Sequence, residues 1–244
     1  MSGTAGGGRR TRRPPRFYFS LRSPYSWLAY RDLTAHHPRL AAALEWVPFF
    51  EPDELSRKLL DEAGGAFPYT PMSPEKHRYI LQDVRRLAAE RGLSLSWPVD
   101  REPVWEVPHL GYLAAARYGM GPEYIALAAR ARWELGQDIC DRSVIGGFGA
   151  RLGLDSEELA SASDDPELRA EGVRVLLEIQ RDGVFGVPFF VDHYDKYWGV
   201  DRLPAFVAAL TGRSPGLAEP PADPEGALTE PERSVDDGHA GGCG

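Results

Sequence analysis

Ser23-Pro24-Tyr25-Ser26 is the segment of this chain best suited to chemistry. Serine followed by proline marks a helix start, because the hydroxyl can accept from an early backbone N–H and proline fits the first helical position. Unpaired N–H groups and the positive end of the helix dipole then converge near Ser23, so the spot favours an anion. The plain alternative is that Ser23 only caps the helix. Lys76 is a cation on an amphipathic helix, where a solvated role competes with a functional one. His109 titrates near neutrality and could act as an acid or base. Trp97 and Trp105, in the same stretch, could line an aromatic pocket or fill a core. The two cysteines, Cys140 and Cys243, form no C-x-x-C pair. Cys140 reads as a small core residue and Cys243 as an incidental thiol in a Gly-rich tail. No Walker loop and no G-x-G-x-x-G occurs.

The elements that must position these residues follow from hydrophobic spacing. Phe17-Tyr18-Phe19 reads as a strand, and the helix starting at Ser23-Pro24 runs over 25–35. A second strand spans 44–50, so strand, helix and parallel strand form a βαβ unit. Helical patterns follow over 75–91 (stopped by Gly92), 110–118, 122–135, 143–152, 156–161 and 166–181, with Asp155 and Asp165 near caps. The chain then returns to strands at 189–191 and 196–198. A last helix is expected over 202–210, with Asp201 as its cap.

Composition narrows the function classes. Of 244 residues, 43% are hydrophobic and 26% charged, which is ample for a core. The formal net charge of −8 argues against nucleic acid as a partner, since phosphate binding needs a basic surface. No run approaches the roughly 20 apolar residues of a membrane span. With no secretory leader visible and two isolated cysteines, a reducing cytoplasmic setting is expected. Residues 1–15 and 213–244 read as disordered tails, the second one acidic, which leaves a body of 16–212.

Three motifs in that body resemble a known group. Phe17-Tyr18-Phe19 followed by Ser23-Pro24-Tyr25-Ser26-Trp27-Leu28 is similar to the opening of 2-hydroxychromene-2-carboxylate isomerases and kappa-class glutathione transferases. So are Lys76, Tyr79 and Asp83-Val84-Arg85-Arg86, and then Gly183-Val184-Phe185-Gly186-Val187-Pro188 with Trp198-Gly199-Val200-Asp201-Arg202-Leu203. The motifs occur in the family's order and cover nearly the whole body. The resemblance implies an α/β thioredoxin fold (βαβ…ββα) of the DsbA-like kind, with a large helical domain inserted at about 70–182.

The resemblance also implies a site. Redox relatives start this helix with C-P-x-C; here Ser23 and Ser26 replace both sulfurs, so dithiol exchange has no chemistry here and no disulfide oxidoreductase is expected. Ser23 becomes the catalytic residue that stabilises the thiolate of a small-molecule cofactor, with Ser26 left to packing. Pro24, Tyr25, Lys76, Val187, Pro188, Val200 and Asp201 become cofactor-binding residues. The Val187-Pro188 bond is expected to be cis. Glutathione, or another thiol such as mycothiol, is the implied cofactor. Its identity stays open, because Val200 stands where the family has Ser, and the loop Gly64-Gly65-Ala66-Phe67-Pro68-Tyr69 lacks the family's Asn-x-Pro-Pro. The implied activity is a thiol-dependent isomerase acting on an aromatic conjugated small molecule. The alternatives are a kappa-like transferase and a non-catalytic thioredoxin-like binding module. Homodimers are common in the group.

Overall fold

The computed structural model describes residues 13–68 and 72–219. Its centre is a four-stranded sheet in the order β2-β1-β3-β4, built from β1 (Arg16–Phe19), β2 (Glu45–Pro48), β3 (Phe189–Asp192) and β4 (Asp195–Trp198). β1 runs parallel to β2 and antiparallel to β3, and β4 pairs antiparallel with β3. β1 and β3 are buried along their whole length because both are interior strands.

Helix α1 (Pro24–His36) makes the crossover from β1 towards β2. It gives way to α2 (Pro38–Ala43), which was not expected. The break falls at His37, whose position before Pro38 disfavours helical backbone. β2 is shorter than the expected 44–50, although Phe49 N–H still donates to the Phe19 carbonyl beyond it.

Between β2 and β3, among the described residues, lie seven α-helices: α3 (Glu54–Glu62), α4 (Pro74–Glu90), α5 (Glu106–Arg117), α6 (Gly121–Ala129), α7 (Arg142–Leu152), α8 (Ser156–Ala160) and α9 (Pro166–Arg181). α3 escaped the sequence reading because its apolar stripe is thin, with only Ser56 and Leu60 buried. α5 begins four residues earlier than expected and tolerates Pro108 in its first turn, where no amide partner is required. The expected helix over 122–135 divides: α6 ends at Ala129, and a π-helical turn (Arg130–Glu134) follows. That wider turn buries Ala131, Arg132 and Trp133 together. Asp155 and Asp165 cap α8 and α9 as expected, each carboxylate accepting two backbone N–H groups.

After β4, a 3₁₀ turn (Val200–Arg202) leads into α10 (Leu203–Arg213). Asp201 therefore does not cap the last helix. It sits inside the 3₁₀ turn, and the residue at the cap position, Arg202, makes no side-chain cap bond. Gly199 enables this turn. Its φ is +103°, and a Cβ there would lie 2.5 Å from Asp201 Oδ1. Contacts continue past the expected boundary at 213: the Arg39 N–H donates to Glu219, and Leu217 packs on the core. The remaining tail residues, 1–12 and 220–244, lie outside the described part. No helix among the described residues is long and apolar enough to cross a membrane.

Two features hold the sheet in place. On one face, Phe17 stacks on Phe190 at 4.9 Å, and Phe190 stacks on Phe206 of α10 at 4.9 Å. At the start of β1, the buried Arg16 pairs with Asp182 and Glu178 at the end of α9, and Tyr18 donates to Asp182. Phe190 is fully buried between two rings, so Phe190→Ala is expected to cost about 3–5 kcal/mol of stability. Denaturant unfolding of the variant measures this; a loss below about 1 kcal/mol would show that the column is not a core element.

Candidate active site

The parallel strands β1 and β2 end side by side, and ligands of open α/β sheets bind outside such carboxyl ends. The turn Ser20-Leu21-Arg22-Ser23 leaves β1 there. Ser23 has extended backbone (φ −86°, ψ 120°) and caps α1. Its Oγ accepts from Ser26 N–H at 3.2 Å, and its own N–H donates to the Ser20 carbonyl at 3.0 Å. Ser26 is buried, and its Oγ accepts from Ser20 N–H at 3.2 Å, which is the packing role expected of it. Ser23, Pro24 and Tyr25 remain half-buried, with a path to solvent. No acidic residue occupies the first turn of α1 to oppose an anion.

Tyr25 links this helix start to α4. Its hydroxyl donates to Asp83 at 2.8 Å, and Asp83 also accepts from Tyr79 and Arg86. Burial raises the Tyr25 phenol, and the Asp83 carboxylate raises it further. Partial burial would raise Asp83, but the hydrogen bonds from Tyr25, Arg86 and Tyr79 outweigh it and hold that carboxyl below its usual value. Lys76 lies on the same face of α4 as Tyr79 and Asp83, at i, i+3 and i+7, and is exposed.

The cis Val187-Pro188 bond is present as expected. Tyr18 pairs with Phe189, so one further register step brings Pro188 beside Phe19, at the same end of the sheet as Ser23. The Pro188 carbonyl accepts from Gly199 N–H at 2.9 Å, which ties it to the Val200-Asp201 turn. That turn lies against α1. Val200 is buried and faces the core, so its side chain is withheld from any ligand. The Asp201 carboxylate is exposed and 3.4 Å from Arg202.

Several residues near the turn were not singled out by sequence reasoning. Arg22 donates to Glu51, in the loop after β2, at 2.8 Å, and its guanidinium lies 5.3 Å from the Trp105 ring centre. The loop after β2 is held by Asp53, which pairs with Arg169 at 2.8 Å and donates its backbone N–H to Glu106. Burial pushes the Glu106 carboxyl up. The only available signal for Arg22 was a cation directly preceding the capping serine.

Other expectations resolve into packing. Trp105 is buried, and Trp97 meets Trp133 edge-on at 5.9 Å, so neither forms an aromatic pocket wall. His109 is fully buried with both ring nitrogens engaged, and burial pushes its imidazolium down to about 3; it is no acid or base. Burial also pushes the Cys140 thiol up to about 12, which makes it inert at neutral pH. Cys243 and Tyr69 lie outside the described residues. A small cavity between α1 and α6, lined by Ser20, Ser26, Trp27, Tyr30, Ile125 and Trp133, has room for about one water (≈ 10 Å³) and is too small for a substrate.

With this geometry in place, comparisons with known proteins become informative. The DSBA-like thioredoxin domain family matches residues 16–211. A 2-hydroxychromene-2-carboxylate isomerase from Sphingobium xenophagum is 26% identical over 191 residues, covering 77% of this chain and 92% of that protein. A solved 2-hydroxychromene-2-carboxylate isomerase superposes with a TM-score of 0.64 at 20% identity, over 84% of this chain and 99% of the other. The cytosolic disulfide reductase DsbM from Pseudomonas aeruginosa, solved with GSH, has a TM-score of 0.52 at 20% identity, over 81% and 98% of the two chains. At 20% identity the two structures show the fold alone, while the family match over residues 16–211 shows the lineage: this chain belongs to the DsbA-like thioredoxin domain family.

Proposed function

We propose that this chain is a thiol-dependent isomerase acting on an aromatic conjugated small molecule, with Ser23 as its catalytic residue. The observation that carries the reading is a half-exposed hydroxyl at the N-terminus of α1, at the carboxyl end of the central strand, with no thiol at position 23 or 26. The resemblance to proteins named as isomerases of 2-hydroxychromene-2-carboxylate supports it. A bound thiol cofactor would supply a nucleophile that adds reversibly to a conjugated double bond, so that the carbon skeleton can rotate before the sulfur leaves.

The residues present fit an anionic sulfur. The Ser23 oxygen is an acceptor for Ser26 N–H, which leaves the hydroxyl proton to be donated outward. The helix dipole adds to that donation. Pro188 and the backbone of Val187 form the neighbouring wall, where an extended thiol peptide can lie. Asp201 offers a carboxylate to an ammonium group, and Lys76 a cation to a carboxylate. Glutathione suits this set, and DsbM, of the same fold, was solved with it. Mycothiol is the second candidate, since Val200 contributes no hydroxyl and the 64–68 loop no asparagine. A cytoplasmic setting, rich in reduced thiols, agrees with this role.

Four outcomes follow. Ser23→Ala removes one hydrogen bond to a charged group, worth about 1.5–3 kcal/mol, so turnover with the preferred thiol is expected to fall about ten- to a hundredfold. Its melting should reflect only a lost cap of about 1 kcal/mol. Steady-state assays of an aromatic conjugated substrate, run with glutathione and with mycothiol, measure the first quantity; unchanged turnover beside lowered stability would leave Ser23 as a cap alone. Tyr25→Phe should raise KM for the thiol severalfold while leaving kcat nearly intact, because it frees α4 and Lys76 from the helix start. The Asp83 end of that link has a sign in pH. Its native pKa is depressed, so its contribution is complete above the unfolded value near 3.8 and is lost as pH falls through the lower native one. Acid titration of wild type and Tyr25→Phe should therefore diverge at neutral pH and converge in strong acid; parallel curves throughout would contradict the link. Insulin reduction with a dithiol should show no activity dependent on Ser23 or Ser26.

A further inference from the structure

Helix α5 belongs to the block between β2 and β3, yet one of its side chains ends on the turn that carries Ser23. His109 Nδ1–H donates to the Trp105 carbonyl at 2.7 Å, one helical turn back, which fixes the tautomer and leaves Nε2 as a bare acceptor. Nε2 accepts from the buried N–H of Leu21 at 3.1 Å, with the Ser20 hydroxyl at 3.5 Å. The ring is wedged in place: Phe50, just beyond β2, stacks on it at 5.2 Å, and the Trp105 ring meets it at a steep angle at 6.3 Å. The charged groups around it, Arg22 and Arg132, are both cations and disfavour a second ring proton, as burial does. The ring is therefore neutral, and its acceptor available, across the whole physiological range.

We propose that His109 is a positioning residue for the thiol site: by accepting the Leu21 N–H it sets the Ser20-Leu21-Arg22-Ser23 turn, and with it the place of the Ser23 side chain over the N-terminus of α1. A buried amide that loses its acceptor cannot stay in place without cost, so the turn shifts when the imidazole is removed. The field of a helix end falls off within its first turn, so even a small shift at position 23 changes how well an anion is held there. The imidazole thus makes the helical block a determinant of thiolate stabilisation without touching substrate.

This deepens the thiol reading and takes its biological meaning from it, but the test needs neither cofactor nor turnover. In the full-length protein carrying Ser23→Cys together with Cys243→Ser, the pH dependence of thiolate absorbance and of alkylation by iodoacetamide gives the pKa of the introduced thiol, since Cys140 stays protonated near neutrality. Adding His109→Gln, whose side-chain oxygen reaches the place of Nε2, should leave that pKa within about 0.3 unit. Adding His109→Leu should raise it by about one unit, a tenfold loss of thiolate at a fixed pH below the pKa. If the leucine variant does not fold, His109→Asn, whose amide stops at the level of Nδ1, takes its place with the same expected rise. A folded leucine or asparagine variant with an unchanged pKa would overturn the proposal, as would a glutamine variant shifted as far as leucine. Should the wild-type protein bind no small thiol, the enzyme reading fails while this comparison still stands or falls on its own.

Discussion

Two hydrogen bonds close the turn on which the site depends: Ser26 N–H to Ser23 Oγ, and Ser20 N–H to Ser26 Oγ. Together they bind the end of β1 to the first turn of α1 and leave no slack between strand and helix. Everything that bears on the candidate chemistry is arranged around that closure. The central strand is buried on both sides, so its end cannot wander, and the aromatic column Phe17–Phe190–Phe206 fixes β3 and α10 against it. The β1–β3 register brings Pro188 to the same end of the sheet, and its carbonyl is held there by the Gly199 N–H.

The helical block contributes support to the Ser23 turn. Asp83 of α4 receives the Tyr25 hydroxyl, and His109 of α5 receives the Leu21 amide, so two helices of the block are tied to the turn and the first residues of α1. Arg22 is held between Glu51 and the Trp105 ring, which keeps a guanidinium beside the helix start. Polar ties of this kind in a low-dielectric setting specify geometry more than they add stability, because a buried group left unpaired is costly. Such ties suit a site whose chemistry depends on holding a sulfur anion at one point.

Much of this was legible in the sequence where the rule is local. Ser-Pro announces a helix start whatever surrounds it, and Asp155 and Asp165 cap for the same reason. Runs such as Phe17-Tyr18-Phe19 and Phe189-Phe190-Val191 are apolar enough to be strands in any sheet. The failures were of two kinds. α2 and α3 are short, and α3 has a thin buried stripe, so periodicity had little to act on. Asp201 looked like a cap, but Gly199 with its positive φ starts a 3₁₀ turn one step too early for that role. The partners of His109, Arg22 and Tyr25 were beyond reach, since each lies 29 to 89 residues away and depends on how whole helices pack. A histidine read as a possible acid or base thus turned out to be a neutral, doubly bonded strut.

The proposed chemistry requires that the N-terminus of α1 hold a small-molecule sulfur as an anion. The direct measurement is difference ultraviolet spectroscopy of wild-type protein titrated with glutathione, and separately with mycothiol, at neutral pH. Thiolate absorbance should grow to saturation with one of them, although the free thiol, with a pKa near 8.5, is mostly protonated there. Binding of either thiol without that absorbance, or no binding of either, would contradict it.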